Sequence, residues 1–499
     1  MNTQRFGRIV AGIVACIAFV VYAATAARTV TWLHNGADSG DLVTAAYTFG
    51  IPHPPGYPLY TMLAAVFARL PFGEPAFGVA LFSALAAAGA IYVLARAGDA
   101  LLQTFKDSKT LKLLVWIPPL AALGFAFAPL LWSQATIPEV YALNLFFVAL
   151  ILWACVSTHP QRVKIAALAF GLGAAHHLSA LLLVPGAWIL LQPKRADARA
   201  LMWFAIPLLA YVYLPLVALG NPPVKWGDPV TPERFFWLVS AAPYRAYVFD
   251  LNGSDVLARI AFSARALTEQ FTFVGLALVV WGAIQLAMTR ARVFGGLMLI
   301  FAPVVVYAIV YASRDSFLYL LPAFAIALLW FMYGAASVLE LLPDARWLRA
   351  ALIALLALLP LWNLMSNFAA MDISRDRAAY EYARANLDAL PQDAVLFADG
   401  DEALFALWYY RHAIASQNAH SVIVSQGLLQ YDWYYDSLRR LMREAQFADA
   451  RDAAQRVYEI ARVSFAQGRA VCFTASSPLP PQFEYEPRGN AQCVASEVK

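Results

Sequence analysis

The chain has 499 residues, 61% of them hydrophobic and 14% charged, against roughly 45–50% and about 25% in soluble domains, so a water-soluble monomer is excluded. Net charge is +4, and the basic residues sit singly or in small groups between apolar runs, which argues against a nucleic-acid partner and for membrane-topology signals. Of the 68 Asp, Glu, Lys and Arg residues, 30 fall after residue 370, so a membrane-like body precedes a tail of soluble composition.

A membrane span needs about 20 mostly apolar residues. Such runs are predicted near 9–27, 76–95, 113–131, 137–156, 164–176, 178–191, 201–219, 269–288, 294–311, 317–337 and 348–367, about eleven transmembrane helices in a polytopic α-helical protein. Arg5 and Arg8 precede the first run, whose length favours a retained anchor over a cleaved signal peptide. Arg5 and Arg8, then Arg96, Lys106, Lys109 and Lys112, then Arg162 and Lys164, Lys194, Arg195 and Arg199, Arg290 and Arg292, and Arg346 and Arg349 flank alternate connections. The positive-inside rule assigns those connections to the cytoplasm. The N-terminus is therefore expected inside, with the connections at 28–75, 132–136, 177, 220–268 and 312–316 and the tail outside.

The first outer loop reads Asp38-Ser39-Gly40-Asp41, an apolar-periodic stretch to Gly50, then His53-Pro54-Pro55-Gly56-Tyr57-Pro58. Asp38 is placed to cap a helix, with Asp41 favouring its dipole. The functional alternative is that one carboxylate takes a proton from an acceptor hydroxyl while the other orients a substrate or holds a cation. The consecutive prolines stop the helix, and the piece from Tyr57 to about Leu70 reads as interfacial.

Farther on, Glu139 starts a span at the outer side, and His176-His177 lies at an outer edge, where adjacent histidines point to different sides of a helix. Lys225, Arg245 and Arg314 are outer-face cations of the kind a departing lipid phosphate requires. Trp226, Trp237, Tyr244 and Tyr247 make the 220–268 loop aromatic, suited to stacking on a sugar or to an interfacial belt. The tail reads as a small α/β domain: a helix over about 372–389, a strand at 394–398, a turn at Asp399-Gly400-Asp401, a helix around 404–410 and a strand at 421–425. Cys472 and Cys493 could pair there if the compartment is oxidising. Composition divides the chain into 1–368, the membrane domain, and 369–499, the outer domain.

The first-loop motif, Asp38-Ser39-Gly40-Asp41 with His53-Pro54-Pro55-Gly56-Tyr57-Pro58-Leu59, resembles the signature of a family of multispanning proteins first labelled as a domain of unknown function, which includes a eukaryotic endoplasmic-reticulum protein O-mannosyltransferase. The likeness extends to Trp132-Ser133-Gln134 with Glu139-Val140, and to Trp226-Gly227-Asp228-Pro229 followed by Phe235, Phe236 and Tyr244-Arg245. It covers about residues 30–250 well and the rest loosely. It implies a GT-C glycosyltransferase in which Asp38 falls on the catalytic base of the first outer loop. The second carboxylate is Asp41, where relatives often carry Glu.

Together these readings predict an inverting enzyme that moves a sugar, mannose by the resemblance, from a polyprenyl-phosphate donor to a hydroxyl of a protein, glycan or lipid. Asp38 and Asp41 are the catalytic candidates. His53, Glu139, His176, Trp226, Asp228, Tyr244, Arg245 and Arg314 are the substrate-binding candidates, and no metal or other cofactor is required. The expected setting is a bacterial inner membrane with the site on its periplasmic or outer face. No phosphate-binding or dinucleotide glycine pattern, zinc spacing or nucleophile elbow occurs. A transporter or lipid flippase, or an assembly protein whose outer domain binds a partner, are the alternatives of other classes. Transporters place their charges near mid-membrane and often show internal repeats, whereas these motifs cluster at one edge.

Overall fold

The structure is a computed structural model that describes residues 3–105, 110–193, 198–391, 393–415, 421–442, 447–450 and 452–498. Lys106, Lys109, Lys194 and Arg195, on which part of the loop assignment rests, lie outside the described residues.

All eleven apolar runs are helical, but they differ in length. Among the described residues, seven helices are long and apolar enough to cross a membrane: Arg5–Thr25, Pro75–Phe105, Arg199–Leu219, Gly253–Thr289, Ala291–Val310, Ser316–Leu341 and Arg346–Met371. Lys112–Ala126 and Pro129–Ala135 make an eighth only if a 68° bend is counted as one span. Ala128 between them is extended, at φ −73° and ψ 145°, as sterics require of a residue before proline. The other three runs form the shorter helical segments Tyr141–Val156, Arg162–Ala174 and Leu178–Leu191.

The chain divides into two compact units. One comprises Met1–Ala26, Ala80–Tyr211 and Tyr244–Ser374. Its long helix Gly253–Thr289 is two helices joined at Thr272, at φ 62° and ψ 170°, where the hydroxyl accepts from the Gly275 N–H at 3.3 Å and caps the restarted helix. That helix runs against Leu321–Leu341 through Gly282 and Gly334. A Cβ on Gly282 would overlap the Trp330 carbonyl oxygen, and one on Gly334 the Leu278 carbonyl oxygen. With lipid tails as apolar as the side chains, such close backbone approach is the principal source of helix attraction in a bilayer.

The other unit comprises Ala27–Val79, Val212–Pro243 and Arg375–Lys499, so it gathers the first loop and part of the 220–268 loop with the tail. Its core is a five-stranded sheet of order β2-β1-β3-β5-β4, with β1 Val395–Ala398, β2 Val422–Ser425, β3 Val471–Thr474, β4 Phe483–Arg488 and β5 Ala491–Glu497. β1 lies parallel to β2 and β3 and is buried along its whole length, which is why it reads as an unbroken apolar run. β5 pairs antiparallel with β3 and β4, and Cys472 and Cys493 face each other in register and are bonded. The tail contributes the helices Ala378–Leu387, Asp401–Tyr409, Asp432–Leu441 and Ala453–Ala466 to this unit. The α/β tail and its first two strands follow the sequence pattern; β3, β4 and β5 are additional to it.

The Gly282–Gly334 crossing is testable. Gly334→Leu should cost about 1–3 kcal/mol by overpacking, read as a lower thermal midpoint of the detergent-solubilised protein; an unchanged midpoint would mean that the two backbones do not meet there.

Candidate active site

The site is built by a chain reversal. The helix Ser39–Thr48 ends in the left-handed region at Phe49, φ 53°. Ile51 then forms an isolated parallel bridge with Lys225: its N–H donates to the Val224 carbonyl at 2.9 Å, and its own carbonyl accepts from the Trp226 N–H at 3.1 Å. A turn closed by the Gly56 N–H on the His53 carbonyl, 2.9 Å, leads through Tyr57, φ 36°, into the helix Pro58–Phe67. The return strand brings His53 back over the first turn of the helix it has left.

Asp41 is fully buried and accepts three hydrogen bonds. Its Oδ2 takes the His53 backbone N–H and the His53 Nδ1–H, each at 2.8 Å, and its Oδ1 takes the Trp226 indole N–H at 3.1 Å. A carboxylate is an acceptor only, so the shared proton is carried on Nδ1 and Nε2 is left to face Asp38. The separation from Nε2 to Asp38 Oδ2 is 3.7 Å, and the Asp38 side chain is 37% exposed. Asp38 occupies the N-cap position but makes no capping hydrogen bond, so the capping role expected of an Asp there is not realised. The two carboxylates thus differ in burial: Asp41 is enclosed, whereas Asp38 is partly exposed.

Residues of the tail complete the surroundings of His53. Gly40 packs so closely on the Asp401–Tyr409 helix that a Cβ would overlap the Phe405 carbonyl oxygen. The Phe405 ring lies stacked on His53 at 6.4 Å and edge-on to Trp226 at 6.2 Å. Tyr57 meets His53 edge-on at 5.2 Å. Trp433 packs on Trp226 at 6.3 Å and on Trp237 at 5.9 Å. Asp401 is exposed over much of its surface, yet desolvation still pushes its carboxyl above the usual range. His53 opposes that shift, and the carboxylates of Asp41, Asp399 and Glu402 add to it.

Two residues beyond Trp226, Asp228 is buried in a left-handed conformation, φ 43°, a state that costs of order 1–3 kcal/mol for a residue other than glycine. Three cations hold it: Lys225 at 2.9 Å, Arg234 at 2.9 Å and Arg440 at 2.6 Å. Burial alone would raise its pKa, but the hydrogen bonds and charges of Lys225 and Arg440 outweigh that and hold it below the usual carboxylate range. Lys225 is shifted down, against its partner's preference for the ionised pair, because it is desolvated and shares one carboxylate with two arginines. The Asp228 carboxylate is spent on holding the turn.

The remaining sequence candidates belong to the other unit. Glu139 is buried and its Oε2 accepts from the Val140 N–H at 3.1 Å. His176, also buried, places Nε2 2.9 Å from the Val140 carbonyl, whereas His177 Nδ1 lies 2.7 Å from Ser179 Oγ, so the adjacent histidines take different partners. Tyr244 stacks on Tyr247 at 6.1 Å, and Arg245 and Arg314 are exposed. Beside Arg314, Asp315 accepts from the Tyr141 hydroxyl at 2.8 Å. Arg259 donates to the carbonyls of Tyr311, 2.7 Å, and Ser313, 2.8 Å, and so fixes the turn that carries Arg314. Among the described residues no group of three or more His, Cys, Asp or Glu is disposed to hold a metal ion.

The structure therefore brings together Asp38, Asp41, His53, Trp226 and Asp228 in one unit and places Glu139, His176, Tyr244, Arg245 and Arg314 in the other. Phe405, Trp433, Arg440 and Arg259 were not singled out from sequence. The aromatic helix after Asp399-Gly400-Asp401 is legible as a helix, but nothing in its spacing ties it to residues some 350 positions earlier.

Because the folded pKa of Asp228 lies below its unfolded value, its contribution to stability is present above the ordinary carboxylate range and is lost as pH falls through the folded value. Acid titration should therefore destabilise the parent more than Asp228→Asn, which begins less stable at neutral pH. Parallel acid profiles by tryptophan fluorescence would contradict this.

Comparison with known proteins agrees with the motifs. Residues 38–199 match the protein O-mannosyl-transferase TMEM260 N-terminal domain, and residues 379–461 match TMEM260-associated domain 2. The chain is 28% identical over 458 residues to the protein O-mannosyl-transferase TMEM260 of Mus musculus, covering 83% of this chain and 62% of that protein. It is 23% identical over 502 residues to the Dictyostelium discoideum protein of the same name, covering 87% and 60%. The chain thus spans about three fifths of the length of these relatives. Both are eukaryotic and lend no support to the expected bacterial inner membrane. In fold, the chain is similar to ArnT from Cupriavidus metallidurans, crystallised with undecaprenyl phosphate, with a TM-score of 0.60 at 13% identity over 99% of this chain and 98% of that one. The resemblance drawn from the first-loop motif holds: two segments of the chain match TMEM260 domains, and its multi-pass fold is similar to that of a GT-C enzyme.

Proposed function

We propose that this protein is a membrane glycosyltransferase in which Asp38 is the general base. The observation that carries the reading is the difference in burial of the two carboxylates: Asp41 is buried and accepts three hydrogen bonds from His53 and Trp226, while the Asp38 side chain is 37% exposed with His53 Nε2 at 3.7 Å. A base must reach its substrate, and Asp38 can do so. Asp41 holds the imidazole in one tautomer and orientation beside it.

The donor is a polyprenyl-phosphate sugar and the acceptor a hydroxyl, with mannose and a protein Ser or Thr suggested by the names of the relatives. The lipid-linked donor is also suggested by the undecaprenyl phosphate bound to ArnT. Asp38 takes the proton of the acceptor hydroxyl as its oxygen bonds to the anomeric carbon. The bond from that carbon to the phosphate oxygen breaks in the same step, and polyprenyl phosphate leaves with the electron pair. One displacement inverts the anomeric centre. The charge gathering on the phosphate calls for a cation. This scheme requires no metal. The Cys472–Cys493 bond supports a tail in an oxidising compartment, opposite the Lys and Arg loops.

Purified protein is to be incubated with radiolabelled polyprenyl-phosphate mannose and Ser- or Thr-containing peptides. Asp38→Asn should lose about 10²- to 10⁴-fold of the transfer rate, the range for removal of a general base, with an unchanged unfolding midpoint. Equal turnover by parent and variant removes Asp38 from the mechanism. No turnover by the parent with mannose or other polyprenyl-phosphate sugars overturns the reading itself.

A further inference from the structure

We infer that Arg440 and Trp433, on the Asp432–Leu441 helix of the tail, are positioning residues for the transfer reaction: they hold the 225–228 turn so that the Trp226 indole fixes Asp41, and through it His53, beside Asp38. This rests on the reading of Asp38 as the base and extends it to a part of the chain that the first-loop motif does not contain.

The restraint on Trp226 is explicit. On one side, its backbone N–H is bonded to the Ile51 carbonyl, 3.1 Å, and Ile51 lies two residues before His53. On the other, Gly227 and Asp228 are both left-handed, at φ 72° and 43°, so the turn needs an anchor. Asp228 is that anchor, and Arg440 makes the shortest of its three ion pairs, 2.6 Å. Arg234 is shared between Asp228 and Asp436 of the same tail helix, at 2.9 and 3.0 Å. One helix therefore grips the turn at two places seven residues apart: Arg440 on the Asp228 carboxylate and Trp433 against the Trp226 ring, 6.3 Å between centroids. Residues seven apart in a helix share a face, so both grips come from one side of the same rigid element.

Trp226 transmits the grip. Its Nε1–H is bonded to the Oδ1 of Asp41, the oxygen that the His53 hydrogen bonds leave open, at 3.1 Å. Without that bond Asp41 would carry an unsatisfied oxygen in a dry site and would be free to rotate, and the Nδ1–H bond that orients His53 would rotate with it. A displacement of about 1 Å at a reacting group can cost 10²-fold in rate, so a side chain that never meets the substrate can govern turnover. The tail is then a working part of the catalytic site rather than a cover.

A general structural role for Arg440 would lower stability without touching this route, and the test separates the two. With polyprenyl-phosphate mannose as the donor probe, Arg440→Gln and Trp226→Phe are each expected to lower kcat about tenfold or more, with the donor KM within about twofold. Arg440→Lys keeps the charge and should recover most of the loss. The Arg440→Gln/Trp226→Phe double variant is expected to be no slower than the slower single variant, because both act through one bond. Losses that multiply in the double variant, or a parental kcat in a folded Arg440→Gln protein, overturn the inference. Should Arg440→Gln fail to fold, Trp433→Leu in the same cycle with Trp226→Phe takes its place.

A second measurement needs no substrate. In ¹⁵N-histidine-labelled full-length protein, the His53 Nδ1 resonance, assigned by its loss in His53→Gln, should move in Arg440→Gln and Trp226→Phe and stay in Arg488→Gln, an exposed change on β4. An unmoved resonance in the first two defeats the positioning inference even if Asp38→Asn is inactive. A moved resonance together with parental turnover by Asp38→Asn defeats the choice of base while leaving the physical linkage standing.

Discussion

A carboxylate buried out of water must find donors for its oxygens, and Asp41 meets that demand with three. Two come from His53 and one from the Trp226 indole, groups 12 and 185 residues away along the chain. Much of the first-loop architecture follows from this one requirement. The helix Ser39–Thr48 must stop, the chain must reverse through Phe49 and the bridge at Ile51, and a segment of the later loop must lie alongside. The partly exposed carboxylate, Asp38, is then presented next to an imidazole whose other edge is already committed. Division of labour between two acids in one short motif arises from their burial rather than from their chemistry, which is identical.

The same reasoning gives the tail its part. A left-handed Asp228 is tenable because three cations surround it. One of them comes from a helix that also supplies a tryptophan against Trp226. Phe405, from another tail helix, lies on the face of His53, and Gly40 is small so that this helix can come close. The 379–461 segment, matched to a domain associated with the TMEM260 proteins, thus includes Phe405, which packs on the first-loop motif.

Much of this is legible in the amino-acid sequence. The apolar runs, the acidic first loop with its prolines, the aromatic later loop, the α/β tail and the cysteine pair can all be read from the chain, because each is a local pattern of hydrophobicity, charge or turn chemistry. Lengths of spans were less so. A run such as 137–156 has the length and composition of a membrane helix, but its helix, Tyr141–Val156, has only 16 residues, short of a bilayer crossing. Composition also drew its boundary near residue 369, whereas compact packing joins the tail to two earlier loops. Composition is blind to that joining because it involves segments of quite different character.

Residue types and their near neighbours are enough to show that the chain lives in a membrane, that acidic and aromatic groups gather in particular loops, and that the first loop resembles that of a sugar-transferring family. Packing in three dimensions sets which of two aspartates is the more exposed, which histidine nitrogen faces it, and that Trp226, Phe405 and the Asp228 cluster share its unit. Those outcomes depend on burial and on hydrogen bonds between residues hundreds of positions apart, and no local pattern encodes how a solvated carboxylate differs from an enclosed one.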